Sequence, residues 1–238
     1  MTGKTKTVGI IAAMKTEAER IISAMDNTSV KIISGMVFTS GEISGVRCAV
    51  AVCGIGKVFA AVCAQTMILE YSPDVIINTG VAGTLTDRLS IGDIIVAGRT
   101  VQHDMDTSAL GDPVGMISGI NTVYLPCDAG FSEVLLSAAE KSGANCISGT
   151  VASGDRFVCD SGDRKRISDL FGASACEMEG AAIAQVCYIN GTPCCVMRAI
   201  SDGGDEDAQT DYPTFAKMAA ERGANVVIDA VKSLFDGR

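Results

Sequence analysis

The order of segments in this 238-residue chain predicts an α/β protein, a sheet covered by helices on both faces. Three observations predict it. Strand-like and helix-like segments alternate. Several strand-like segments, such as TVGIIAAM and DVIINTGVAG, are continuous apolar runs, as expected of strands buried on both faces. No linker, internal repeat or low-complexity stretch interrupts the alternation, so residues 1–238 read as one domain, of a size that a single core can support.

The elements follow in order. Residues 7–14 read as a buried strand ending in small residues, and 15–25 as a helix by apolar spacing. Residues 30–54 read as two strands joined by a tight turn near Ser40-Gly41. Residues 57–71 are an amphipathic helix, 74–83 a buried strand ending in glycines, and 92–104 another strand. After a loop rich in Gly and Asp, 131–143 read as a helix and 146–158 as a strand and turn. A helix is expected from Glu177, a strand at 193–201 and a long closing helix at 212–235.

Composition narrows the function. The chain is 47% hydrophobic and 20% charged, as in soluble globular proteins. Its net charge is −9 and no Lys/Arg run occurs, which argues against nucleic acid and anionic membrane surfaces as partners. No apolar run reaches the roughly 20 residues of a spanning helix, and the polar start MTGKTK does not read as a signal peptide. The ten cysteines form no C-x-x-C pair, and the single histidine, His103, has no cysteine nearby in sequence. Zinc and iron–sulfur sites are therefore not expected. The cysteines read as buried, reduced thiols of a cytoplasmic protein.

In open α/β sheets ligands bind at the carboxyl ends of strands. Chemistry-bearing residues collect there: Glu17 after the first strand, the CGIGK and TGVAG turns, SGDRF at 153–157, and Arg198 and Asp202 in RAISDGGDED. Glycines at such ends permit sharp turns and close backbone approach. Glu177 and Glu179 sit where ACEMEGAAIAQVC turns into small apolar residues. Locally, an acidic first turn complementing the helix dipole explains them well. Convergence with Glu17 and Asp202 on one pocket is the competing explanation.

Other motifs fail. GIGKVF lacks the third glycine of a dinucleotide fingerprint, a P-loop spacing is absent, and no G-x-S-x-G elbow occurs. His103-Asp104 is too small a cluster to argue for a metal.

The segments GIIAAMKTE, GIGKVFAA, INTGVAGTL, GDIIVAGRTVQHDMD, SGDRFV, CEMEGAAIAQVC and RAISDGGDED stand in an order that resembles the 5′-methylthioadenosine/S-adenosylhomocysteine nucleosidases, a family of the nucleoside phosphorylase superfamily. The resemblance spans nearly the whole chain. It implies a three-layer α/β/α sandwich around a mixed twisted sheet, a homodimer, and cofactor-free hydrolysis of the N-glycosidic bond of 5′-thioadenosines. It also implies roles. Asp202 is the general acid toward adenine N7, and Glu17 the base that activates water. Glu179 binds the ribose hydroxyls, with Met178 against the sugar and Glu177 in support. Arg198 and Ser201 orient the water and Asp202. Phe157 stacks on adenine, and the Val158 backbone reads its edge. Gly83 belongs to the substrate-binding set. Ile55, Met14 and Tyr212 line the ribose and 5′-alkylthio region, and Leu110 reaches over from a partner subunit.

Val81 departs from the family pattern, which has a serine that helps hold the water. Two other functions compete. A phosphorolytic relative would need cationic or amide donors for phosphate, but this chain has Asn78 where an arginine is expected and Glu17 where phosphate would sit. A non-catalytic purine-nucleoside binder would need no full acid–base set. The sequence does not rank methylthioadenosine, S-adenosylhomocysteine, 5′-deoxyadenosine and aminodeoxyfutalosine as substrates.

Overall fold

The computed structural model of the protein describes residues 7–236. The N-terminal stretch read above as no signal peptide lies, through residue 6, outside the described residues. The described elements are β1 (Thr7–Ala12), α1 (Lys15–Ser23), β2 (Asp26–Ile33), β3 (Met36–Ile43), β4 (Val46–Val52), α2 (Lys57–Tyr71), β5 (Val75–Asn78), β6 (Val81–Thr84), β7 (Ile94–Gln102), β8 (Tyr124–Pro126), α3 (Ala129–Lys141), β9 (Cys146–Ser153), α4 (Ser161–Phe171), β10 (Ala173–Glu177), α5 (Gly180–Asn190), β11 (Cys194–Asp202) and α6 (Ala208–Asp236). A short 3₁₀ turn covers Ser108–Leu110.

All eleven described strands join one mixed sheet in the order β2-β3-β4-β1-β5-β11-β6-β10-β9-β7-β8. Helices α1, α3 and α6 cover one face, where Ile21, Leu135, Val227 and Val231 pack on Val8, Ile10 and Val50. Helices α2 and α5 cover the other, where Ala60, Ala64, Met67 and Ile183 pack on Ile11, Ala51 and Ile76. The third layer is close because α2 and α5 meet through small residues. Helix α4 closes a smaller cluster with Ile167 and Phe171 on Val101 and Val158. No described helix is long and apolar enough to cross a membrane.

Strand β11 is the hub. All nine of its residues are buried, and apart from Arg198 and the polar tip they are apolar. It pairs in parallel with β5 (Cys194↔Ile76) and, in the same register, with β6 (Ala199↔Val81). The expected strand 74–83 is therefore two strands, interrupted at Thr79-Gly80 but kept in line by β11. The register with β6 shifts between Ile200 and Asp202. A bulge of this kind re-aims side chains, and here it falls at Ser201 and Asp202.

Four other expectations are corrected. Ser40-Gly41 lie inside β3; the turns are Ser34-Gly35 and Ser44-Gly45, each with both residues at positive φ, the geometry of a two-residue hairpin that follows the strand twist. Two turns make three strands rather than two. Helix α4 and strand β10 lie between residue 158 and Glu177, where the sequence reading names no element. Asp160 caps α4 by accepting from Asp163 N, and Gly172 ends it in the left-handed conformation, so its start and stop signals were present. Glu177 ends β10 instead of opening a helix. Helix α6 begins at Ala208, with Pro213 inside it.

Candidate active site

One cavity of about 460 Å³ opens where these strands end, a volume suited to a small ligand. Met14 and Glu17 enter it from the start of α1, Val81 and Gly83 from β6, Met178 and Glu179 from the β10–α5 corner, and Ser201 and Asp202 from the tip of β11. Ile55, Phe157 and Tyr212 complete the walls expected from the sequence. Val158 lines a recess of about 30 Å³ that shares Gly83, Phe157 and Asp202 with the cavity. Leu110 lies outside it, on the 3₁₀ turn, 85% exposed.

Glu17 is the third residue of α1, and its carboxylate returns to the helix start. Oε2 accepts from the backbone N–H of Ala13 at 3.0 Å and Met14 at 2.9 Å. Oε1 accepts from Val81 N at 3.0 Å. Position 81 thus contacts Glu17 through its backbone, which a valine leaves intact. Gly80 makes this approach possible: a Cβ there would stand 2.6 Å from Glu17 Oε1. Gly83 does the same for the second carboxylate, since its Cβ would stand 2.6 Å from Asp202 Oδ1. The two glycines of TGVAG therefore clear space for Glu17 and Asp202 respectively. Asp202 accepts from Ser201 Oγ at 2.8 Å and from Gly204 N at 3.0 Å.

The two glutamates of the E-M-E segment divide. Glu177 accepts from Glu179 N at 3.0 Å and Gly180 N at 2.8 Å, so it caps α5, the local explanation offered by the sequence. It also accepts from Ser153 Oγ and pairs with the buried guanidinium of Arg198. Glu179 faces the cavity and accepts from Gly56 N at 2.8 Å. Arg198 corrects an expectation: it does not reach Asp202. Its donors are taken by Glu177, by Asn78 through both Oδ1 and the main-chain oxygen, and by Met197 O. It stands behind the cavity wall.

Burial governs the charges. It raises Asp202 above the ordinary carboxylate range, against the hydrogen bonds from Ser201 and Gly204. Burial likewise raises Glu17, although three backbone donors and Arg198 oppose it. Glu179 is pushed up to about 7 by burial and by Glu177 beside it. The cavity thus gathers carboxyls whose burial favours the protonated form, on walls otherwise mostly apolar.

Sequence reasoning missed Ala13, Ala82, Cys176, Gln209 and Pro213 in the lining. Gln209 was hidden by placing the start of α6 too late. All ten cysteines are free thiols.

Residues 7–232 match the phosphorylase superfamily. A 5′-methylthioadenosine/S-adenosylhomocysteine nucleosidase of Shewanella halifaxensis is 38% identical over 233 residues, covering 95% of this chain and 99% of that protein. An aminodeoxyfutalosine nucleosidase of Campylobacter jejuni is 36% identical over 180 residues, covering 76% and 78% of the two chains. Among solved structures, the 5′-methylthioadenosine/S-adenosylhomocysteine nucleosidase of Neisseria meningitidis in complex with methylthio-immucillin-A superposes with a TM-score of 0.93 at 38% identity, covering 96% of this chain and 99% of that one.

The raised carboxyls make stability depend on pH. A folded state that holds protons more tightly than the unfolded chain is favoured below the ordinary carboxylate range, and that advantage is lost as pH rises through the folded pKa. For Glu179 the loss runs from the ordinary 4.5 up to about 7. The melting temperature is expected to fall between about pH 5 and about pH 8.5. Glu179→Gln, which cannot ionise but keeps an acceptor for Gly56 N–H, is expected to flatten the slope. An identical slope in wild type and variant contradicts the assignment.

Proposed function

Because the chain belongs to the 5′-methylthioadenosine/S-adenosylhomocysteine nucleosidases of the phosphorylase superfamily, we propose that it hydrolyses the N-glycosidic bond of 5′-methylthioadenosine and S-adenosylhomocysteine, and of 5′-deoxyadenosine, releasing adenine and the free sugar. One observation carries the choice of water over phosphate. The cavity is lined by four carboxylates, Glu17, Glu177, Glu179 and Asp202, and by no Lys, Arg or His among the described residues. Of the cations nearby, Arg198 is spent on Glu177 and Asn78, and Arg156, at the adjoining recess, pairs with Asp160 and Asp163. A phosphate dianion entering here would meet repulsion and find no charged donor.

The mechanism follows from the charges. Asp202, whose carboxyl burial shifts toward the neutral form, donates to adenine N7 and makes the base a neutral leaving group. Glu17 takes a proton from the attacking water. Cleavage leaves positive charge on the ribose, which the carboxylates facing the cavity stabilise electrostatically. Glu179 accepts from the ribose hydroxyls. Phe157, 42% exposed over the cavity, offers a stacking face for the purine, and the Val158 backbone borders the recess beside Asp202.

The test is a product assay with and without phosphate. Free sugar and adenine at an unchanged rate are expected; sugar 1-phosphate supports the phosphorylase reading, and no turnover the binder. Asp202→Asn and Glu17→Gln are each expected to lose about 10²–10⁴ in turnover, the usual worth of general acid–base catalysis. A p-nitrophenyl 5-thioriboside, whose leaving group needs no N7 proton, is expected to rescue Asp202→Asn in part and Glu17→Gln not at all. Equal rescue of both contradicts the division of roles.

A second copy of this chain belongs to the same reading. Leu110 on its 3₁₀ turn and Val58, Phe59 and Val62 on α2 are exposed apolar residues, more than a soluble monomer gains from leaving in water. Placing Leu110 over the partner's cavity would cover them. Sedimentation at micromolar concentration is expected to give a particle of two chains, and a fully active monomer would contradict the pairing and the role of Leu110.

A further inference from the structure

Helix α2 begins without a capping side chain of its own. Gly56 stands at its N-cap with a φ of 102°, so the first N–H groups of the helix are met from other segments. Gly56 N donates to Glu179 Oε1 at 2.8 Å, and Lys57 N donates to Asp155 Oδ1 at 2.8 Å. The two donors are neighbours in the chain, so what holds one aims the other. A Cβ at position 56 would stand 3.0 Å from Asp155 Oδ1. Glycine supplies both this clearance and the left-handed backbone.

Asp155 is itself held. Its N–H donates to Asp104 Oδ2 at 2.9 Å. Lys57 Nζ completes the ring by donating to Asp104 Oδ1 at 2.6 Å and to Gln102 Oε1 at 3.1 Å. Against the burial that opposes them, Lys57 and the Asp155 N–H keep Asp104 below the ordinary carboxylate range, so this acceptor stays ionised at neutral pH. The backbone before Asp155 is fixed too. His103 N donates to Ser153 O at 2.9 Å, and Gly154 N donates to Glu177 O at 3.1 Å. The His103 ring lies so close to Gly154 that no Cβ fits there. The stretch Gln102-His103-Asp104 therefore anchors Asp155.

We infer that Asp155 is a positioning residue of the site: by holding the start of α2 through the Lys57 N–H, it keeps the Gly56 N–H on Glu179 and so keeps that carboxylate directed into the cavity as an acceptor. Its consequence for turnover rests on the role given above to Glu179, binding the ribose hydroxyls. An N–H donor favours the ionised form of the carboxyl it meets. Glu177 of β10 and Glu17 of α1 act on Glu179 in the opposite sense, and Arg198 of β11 in the same sense. Cys53, after β4, and Tyr212 of α6 also lie within its field. Asp155 joins this set through the backbone at Gly56.

Carbon-13 titration of the Glu179 carboxyl in Asp155→Ala and Asp155→Asn tests the inference, with a melting curve to check the fold. Both variants remove the negative charge, and only asparagine keeps an acceptor for the Lys57 N–H. The difference between them therefore reads the hydrogen bond. The midpoint is expected to rise by about one pH unit in Asp155→Ala, the scale of a hydrogen bond to a charged group, and to stay near the wild-type value in Asp155→Asn. Hydrolysis of 5′-methylthioadenosine follows. Relative to wild type at the same pH, kcat/KM of Asp155→Ala is expected to be about fivefold lower at pH 7, with the deficit closing by about pH 9. A general loosening of the fold would give no such recovery. An unmoved midpoint in Asp155→Ala overturns the inference, as does an equal movement in both variants. If Asp155→Ala does not fold, Asp104→Ala, which removes the acceptor for both the Asp155 N–H and Lys57 Nζ, is read in the same way: a raised midpoint supports the inference and an unmoved one overturns it. If the wild type hydrolyses no adenine nucleoside, the nucleosidase reading fails, and the carboxyl titration still decides the role of Asp155.

Discussion

The site is organised around one buried cation. Arg198 is 1% exposed in the middle of the central strand, and a guanidinium in that position is tolerable only if its charge and its donors are met. Glu177 meets the charge, and Asn78 and Met197 take the remaining donors. Because Glu177 also accepts from the first N–H groups of α5, the ion pair fixes the corner between β10 and α5. Glu179 stands at that corner, and its direction into the cavity follows. Removing one partner of such a pair costs about 3–5 kcal/mol, since the other is left buried and unpaired. Its contribution is to place the corner rather than to add net stability.

Arg198 also sets the charge balance. Glu17, Glu177 and Glu179 all feel its field, and one cation cannot neutralise three buried carboxylates. The shortfall shifts Glu17 and Glu179 toward their protonated forms. Glu179 is held near 7 and Glu17 is raised despite its three backbone donors. Asp202 is raised mainly by burial, with Asp211 and Asp205 adding to it. The glycines at 80 and 83 are part of that arrangement, because a side chain at either would displace the carboxylate it faces.

Much of this was legible in the chain. The buried strands were evident as apolar runs, and Glu17, Glu179 and Asp202 stood out as carboxylates at strand ends. The hairpin was misread because Ser40-Gly41 looks like a turn, while Ser34-Gly35 and Ser44-Gly45, with the same composition, are the real ones. Pairing with β4 and β2 decides among them, and that is tertiary information. Helix α4 was overlooked although Asp160 and Gly172 mark its ends, because its residues are too polar to give a strong apolar period. The role of Arg198 was misplaced for another reason. Four residues from Asp202 on one strand, it faces Asn78 and Glu177, and only the sheet's pairing reveals that. The function of Gly80 and Gly83 as clearances could not be read at all, since it depends on distances between separate segments.

The central claim is that the burial of these carboxyls around a single guanidinium keeps protons on the site at neutral pH. Carbon-13 NMR of side-chain carboxyls, labelled in Asp and Glu and assigned with Glu17→Gln, Glu179→Gln and Asp202→Asn, measures it directly. The account predicts that Glu179 titrates near 7 and that Glu17 and Asp202 titrate above the ordinary values of 4.5 and 3.8. Titration of all three groups at or below those ordinary values would contradict it.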